Sequence, residues 1–551
     1  MEKVKNPIIW ADIPDPDVIR VGDVYYMTST TMHFTPGCPV MKSKDLVNWE
    51  IVNYVYDVLE DSDRMTLKNG KHDYGKGSWA SCLRYHNGTY YALFAAYNTN
   101  KTYIFHTKEI EGGTWERYIL EGVYHDMSVL FDEDNRVYMV YGAGVIKVIE
   151  LKLDMTAIQP GGLNQVILPK TDVGGKGGLP AEGAHIYKLN GWYYIFLIAW
   201  PPISEVCSGR RIVIVYRSRQ IDGEYEGRVL LDDDMDFQNQ GVAQGGIVDT
   251  PWGEWYSMLF QDHGAVGRIP VLVPVTWEEE WPVFGINGKV PKEILLPQRK
   301  DHKENHKEDD KEDHKEDQKE GKLRGIVTSD DFTDKHLPLE WQWNHNPDHR
   351  CWSLDERPGW LQLNTGSLCC NLSDAPNTLT QRTMEPECSG EVLVDVKAMK
   401  EGDFAGLAAF QDEYGYVGVK AEEGQRSIVM KKATPSSTPA YSMDYETGKP
   451  EIEVESIPLF GEDIYLRITL DFREMVDTAD FYYSLDGKQW VKIGETLQMT
   501  YRLTHFVGYR FALFNYATKE IGGSVYFDYF KQKEKNEECK KANEHLILKN
   551  F

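Results

Sequence analysis

At 551 residues, the chain exceeds the size at which a single hydrophobic core keeps growing, so two or more domains are expected. A formal charge of −26 argues against nucleic acid as a partner, because a phosphate backbone is bound chiefly by Lys and Arg; a neutral or weakly charged substrate fits better. Hydrophobic residues at 41% allow real cores, and 15 Trp, 32 Tyr and 20 Phe leave rings beyond core needs, as in proteins that line pockets or carbohydrate surfaces with them.

The start, MEKVKNPIIW, lacks an apolar run of signal-peptide length, and no apolar stretch of 18 residues occurs anywhere. The expectation is a soluble, cytoplasmic chain with no membrane partner, a homo-oligomer being left open. Eight cysteines (Cys38, Cys82, Cys207, Cys351, Cys369, Cys370, Cys388, Cys539) include no CxxC pair. They read as buried or incidental thiols, not as zinc ligands or a disulfide framework.

Over residues 1–298 one pattern recurs five times: an apolar strand, a tight turn, then an aromatic-rich strand. The second strands read DVYYMTST, TYYALFAA, RVYMVYG, WYYIFLIAW and EWYSMLFQ, after the turns VGD, HNG, EDN, LNG and PWG. Their first aromatics, Tyr25, Tyr90, Tyr138, Tyr193 and Trp255, recur at intervals of 65, 48, 55 and 62 residues. Propeller blades run roughly 40 to 50 residues plus insertions, so a five-bladed β-propeller is predicted. Ten to twelve residues before each aromatic stand Asp15, Trp79, Asp126, Glu182 and Gln244. Equivalent positions of a rotationally repeated fold surround its axis. With the strand starts near that axis, three acids, an indole and an amide converge on one pocket.

Two carboxyl groups facing a glycosidic bond can divide the work, one protonating the leaving oxygen and one activating water, with their oxygens roughly 6.5 to 9.5 Å apart in inverting enzymes. A third negative charge raises the proton affinity of the acid that must stay protonated. The competing reading is structural: with 86 Asp and Glu, acids often fall at turns, where Asp satisfies backbone N–H groups. The shared register of the three weighs against it. Asp12 and Asp17 flank Asp15, and composition does not choose among them.

Residues 299–322, RKDHKENHKEDDKEDHKEDQKEGK, have nothing to bury, so 299–325 is predicted to be a solvated charged linker or a single charged helix. His302, His306 and His314 lie in it, but its charges solvate well without metal. Residues 326–532 alternate polar and apolar over short runs such as WLQLN, EVLVDVKAM, IYLRITLDF and SVYFDYF, which predicts an antiparallel β-sandwich. For the tail, 533–551, a terminal helix is the expectation. The predicted class is therefore all-β, a five-bladed propeller followed by a sandwich.

The runs NPII, PDPDVIRVGDVYYM, SKDLVNWE, YHDMSVLFDEDNRVYMVYG, AEGAHIYKLNGWYYIF and GRIPVLVPVTWEEEWPVFG closely resemble glycoside hydrolase family 43, whose members are five-bladed propellers. DDFTDKHLPLEWQW and RPGWLQLNTG resemble the concanavalin-like sandwich of its β-xylosidase branch. The resemblance implies inverting hydrolysis with Asp15 as general base, Glu182 as general acid, and Asp126 tuning the acid's pKa and holding the sugar. It also implies that Trp79 and Arg268 bind substrate and that His185 supports the site from behind. Many relatives carry a His in blade 5 facing an axial calcium or water cluster; this chain has Gln244, whose amide oxygen can still ligate a hard cation. No cofactor is required on this reading, and a structural calcium on the axis is the one candidate. The TTMHFTPG loop departs from the aromatic-rich xylosidase form, which leaves His33 and Phe34 as subsite residues. The implied activity is exo-release of terminal α-L-arabinofuranosyl or β-D-xylosyl units from hemicellulose oligosaccharides, leaning to arabinofuranosyl. The alternatives are a non-catalytic carbohydrate-binding protein and a purely structural interaction propeller.

Overall fold

The computed structural model describes residues 3–173, 179–203, 208–296 and 325–534. Five four-stranded antiparallel sheets follow one another along the chain. Blade 1 comprises Asp17–Val21, Val24–Thr28, Gly37–Ser43 and Glu50–Tyr56. Blade 2 runs from Ser78–His86 to Glu116–Glu121, blade 3 from Ser128–Phe131 to Asn164–Leu168, blade 4 from Leu179–Leu189 to Glu226–Leu231, and blade 5 from Ile247–Asp249 to Trp281–Phe284. The five aromatic-rich runs are the second strands of these blades. Asn87–Gly88 and Asn190–Gly191, all at positive φ, make the two-residue turns whose twist matches that of the flanking strands.

First strands of successive blades contact one another and so ring the axis. Polar side chains stitch this ring together. Asp17 accepts hydrogen bonds from the Leu83 N–H at 2.7 Å and from Arg84 at 2.8 Å. The Ser128 hydroxyl accepts from Arg84 at 2.7 Å and from the Ile186 N–H at 3.0 Å, and the Tyr187 hydroxyl accepts from the Ile247 N–H at 3.0 Å. Lys3–Lys5 pairs with Glu293–Leu295, and the Asn6 amide bonds the backbones of Leu272 and Pro291. The start of the chain thereby clamps the fifth blade.

The second unit is a sandwich of two antiparallel sheets. One runs through Glu451–Pro458, Gln425–Ala433, Gly415–Glu422, Asp403–Phe410, Arg510–Ala517, Leu379–Arg382 and Gln342–Asn344; the other is built around Ser524–Glu534, Glu387–Asp395 and Asp463–Asp471. Leu407, Val417, Val392, Leu466, Phe511 and Phe527 meet between them, fully buried, each contributing about 1.5–3 kcal/mol. The eighth strand of the first sheet comes from the propeller: Phe34–Thr35 pairs with Trp343 and Asn344. The division at residue 298 is therefore crossed by a shared sheet.

The predicted linker, with His302, His306 and His314, lies outside the described residues apart from Gly325, as does the tail beyond Glu534. Six cysteines are free thiols among the described residues; Cys207 and Cys539 fall outside them. No helix among the described residues is long and apolar enough to cross a membrane.

Candidate active site

At the mouths of the first strands, Asp15, Asp126 and Gln244 adopt φ of 52°, 47° and 57°, and Gly183, directly after Glu182, adopts 67°. A left-handed residue is uncommon without glycine and is retained where the surroundings enforce it. Here it turns each strand mouth so that its side chain faces the axis. Glycine at 183 also leaves room, since a Cβ there would come within 3.0 Å of the Gln244 side chain.

Asp15, 6% exposed, accepts a hydrogen bond from the Arg268 guanidinium at 2.9 Å on one oxygen and from the Thr30 hydroxyl at 2.6 Å on the other. Asp126 accepts from the Gly183 N–H at 3.0 Å. Burial pushes its carboxyl up to about 7, the charges of Glu182 and Asp15 push the same way, and His125 and the Gly183 N–H oppose them. Three acids from three blades thus share one electrostatic site. Burial alone would lower the His125 imidazole, but Asp126, Glu182 and Asp15 outweigh it and raise it to about 9.

The two acids that flank Asp15 serve the frame. Asp17 is fully buried against Arg84, with His185 Nδ1 3.2 Å from its other oxygen. Although burial works to raise it, Arg84 and His185 hold its carboxyl below the usual range. Asp12 accepts from the N–H groups of Arg268 and, on the sandwich, Gly508, at 2.8 and 2.9 Å.

Trp79 forms one wall, with ring centroids 4.8 Å from Tyr97 and 5.2 Å from Phe506; its buried Nε1–H has no protein acceptor. Phe506 comes from the sandwich and also lies 4.3 Å from the Arg268 guanidinium. Tyr501 stands 3.5 Å from Arg268. Behind Arg268, Asp262 pairs with Arg211, whose guanidinium burial and Arg268 lower to about 10. His125, Tyr97, Arg211, Tyr501 and Phe506 were not singled out in the sequence. Only His125 left a signal there, as the residue preceding the acid in YHDMSVLF.

His33 and Phe34 lie elsewhere than expected. Phe34 is 1% exposed under the Arg510 guanidinium at 3.8 Å, in the strand shared with the sandwich. His33 is packed among Phe34, Tyr74, His345 and His505. Both are interface residues, because pairing with Trp343 and Asn344 ties this end of the loop into the sandwich, while Thr30 at its start bonds Asp15. Met32, one position earlier, clusters with Phe34, Val507, Trp79 and Phe506.

Between the acids, Asp15, Asp126, Asp17, Ser81, His185 and Gln244 line a cavity of about 10 Å³, room for about one water. Calcium takes about six to eight oxygen ligands. Asp17 gives one oxygen to Arg84 and Leu83, while its other oxygen and His185 Nδ1 have no hydrogen-bond partner, so a water or a hard cation placed there would meet carboxylate and amide oxygens.

Residues 4–282 match the model described as glycosyl hydrolases family 43. The chain belongs to glycoside hydrolase family 43. Its sandwich, residues 329–533, matches the β-xylosidase C-terminal concanavalin A-like domain, and the family 43 assignment makes the protein a glycoside hydrolase. A β-xylosidase of Formosa agariphila is 30% identical over 95% of this chain and 89% of its own length. BoGH43B of Bacteroides ovatus, a non-reducing-end α-L-arabinofuranosidase, is 27% identical over 78% of each chain. A solved structure described as a bifunctional GH43-CE of Bacteroides eggerthii superposes with a TM-score of 0.85 at 47% identity. It covers 97% of this chain, which spans 64% of that longer one.

Proposed function

We propose that this family 43 protein is an exo-acting, inverting hydrolase that releases terminal pentoses, α-L-arabinofuranosyl or β-D-xylosyl, from hemicellulose oligosaccharides. One observation carries the reading: Asp15 and Asp126, far apart in sequence, line one cavity, and His125 Nε2 stands 3.6 Å from Asp126 and 3.0 Å from Glu182, which brings the third acid to the same place. Asp15, ion-paired to Arg268, is the base that takes a proton from water as the water attacks the anomeric carbon. Glu182 gives its proton to the leaving oxygen in the same step, and Asp126 holds the sugar and tunes the acid. Trp79, Phe506 and Tyr501 wall the pocket and favour a chain end over a mid-chain unit.

The relatives' names divide between xyloside and arabinofuranoside. The sequence lean to arabinofuranoside rested on the departure of the TTMHFTPG loop from the xylosidase form; His33 and Phe34 of that loop are buried, and both pentosides stay in the reading. A cytoplasmic address suits short oligosaccharides over polymer.

Turnover of p-nitrophenyl arabinofuranoside and xyloside, with Asp15→Ala and Glu182→Ala beside wild type, tests the roles. Each variant is expected to lose about 10²- to 10⁴-fold in kcat. NMR of the first-formed product should give the inverted anomer; a retained anomer, or wild-type turnover in either variant, overturns the mechanism.

A further inference from the structure

His125 stands among the acids, and the mechanism above gives it no task. Its Nε2 lies 3.0 Å from Glu182 Oε2 and 3.6 Å from Asp126 Oδ2, and its Nδ1 lies 2.8 Å from the Tyr97 hydroxyl. Neighbouring residues of an extended chain point to opposite sides. The left-handed φ of 47° at Asp126 breaks that alternation and brings His125 and Asp126 to the same side. The Gly142 N–H bonds the His125 carbonyl at 3.0 Å and fixes the backbone there. Tyr97, from blade 2, then orients the ring so that Nε2 is directed at the acid.

We propose that His125 is a positioning residue for the general acid, keeping a proton in the Glu182–His125 pair and returning it to Glu182 after each turnover. The proposal rests on the role given to Glu182 above. During hydrolysis Glu182 gives its proton to the leaving oxygen and becomes a carboxylate, while Asp15 gains the proton of the attacking water. The imidazolium Nε2–H then passes to Glu182 Oε2, restoring the carboxylic acid and leaving a neutral imidazole. That imidazole regains a proton from solvent, to which its side chain is 22% exposed, and Asp15 releases its own to solvent. One proton enters and one leaves per cycle.

The charged and titratable groups facing His125 are Asp126 beside it, Glu182 from blade 4, Asp15 from blade 1 and Tyr97 from blade 2. Trp79 meets the ring edge-on, with centroids 6.0 Å apart, and brings no charge. Asp126, Asp15 and, once it has given up its proton, Glu182 favour the imidazolium, and burial together with Asp126 and Glu182 raises Tyr97 to about 12, so Tyr97 remains a neutral partner over the working range.

The test is the pH profile of kcat/KM for wild type and His125→Asn on two substrates, an alkyl pentoside that needs acid catalysis and a dinitrophenyl pentoside that does not. With the alkyl substrate, the alkaline limb of His125→Asn should lie about one pH unit lower, an activity loss of about tenfold on that limb. With the dinitrophenyl substrate the two profiles should coincide. An unmoved limb makes His125 merely structural, and a limb moved upward makes it only a counter-charge to Glu182; either overturns the proposal. Tyr97→Phe should shift the limb in the same direction by less. Glu182→Ala, run in parallel, separates the premises: if it loses activity equally on both substrates, the acid role of Glu182 fails; if it behaves as an acid variant while the His125→Asn limb stays put, only the relay fails.

Discussion

Arg268 shows how much a single side chain can hold in place. Its guanidinium is 5% exposed, ion-paired to an equally buried Asp15 and covered by Phe506. Removing one member of a buried pair leaves the other charge uncompensated, at a cost of about 3–5 kcal/mol. Arg268→Met is expected to lower the denaturation free energy by that amount and to depress kcat with it, read from urea midpoints and turnover; Asp15→Asn combined with Arg268→Met should recover much of the stability but none of the activity. Asp15, Asp126 and Glu182 were legible in the sequence because a rotational repeat puts equivalent residues at equal distances from a recognisable aromatic. Composition did not separate Asp12 and Asp17 from Asp15; the family resemblance did, and their partners, Gly508 and Arg84, show what they do instead. His125 escaped for a different reason: strand alternation sends it away from Asp126, and nothing in the residue types announces the left-handed turn that reverses this.

At the scale of elements, the sandwich segment Met499–Tyr509 reaches over the propeller. Gly508 donates to Asp12, the Tyr509 N–H bonds the Ala265 carbonyl at 2.9 Å, and a Cβ at Gly508 would meet the Val266 carbonyl oxygen at 1.9 Å. Only glycine permits this approach of two backbones. Gly508→Ala should lift the segment that carries Tyr501 and Phe506, lowering kcat/KM by about 10- to 100-fold while the circular dichroism spectrum of the β-sheets stays unchanged. The five blades and the sandwich strands were readable from turn residues and alternation, which are local signals. Phe34–Thr35 was not: a two-residue strand whose partner lies far along the chain leaves no periodicity, so its residues were assigned to the pocket instead.

Across the whole molecule, the joint between propeller and sandwich is filled by imidazoles. His33, His345 and His505 are buried with Tyr74 between them, and His72 and Tyr445 pack alongside. Both ring nitrogens of His33 and of His505 lack protein partners. Burial lowers His505 to about 3 and His72 to about 4, and carries His33 and His345 well below the ordinary value. Asp412 opposes the shift of His505, while Lys449 and His72 reinforce it. Unfolded histidines titrate near about 6.5. The stability these groups contribute as neutral rings is therefore complete above that pH and is lost as the pH falls toward 4, at about 1.4 kcal/mol per pH unit for each fully buried ring. His505→Phe, which keeps the stack on Tyr74, should move the acid unfolding midpoint to lower pH by tryptophan fluorescence; an unchanged midpoint would mean that this joint does not govern acid sensitivity.

The same long-range pairings constrain synthesis. Lys3–Lys5 has no partner until Glu293–Leu295 leaves the ribosome, and Phe34–Thr35 has none until Trp343 and Asn344 do. At about 5–20 residues per second, the nascent ring stays unsealed, with bare strand edges, for roughly 15 to 60 s. Edges that wait this long for their partners invite chaperone cover during translation.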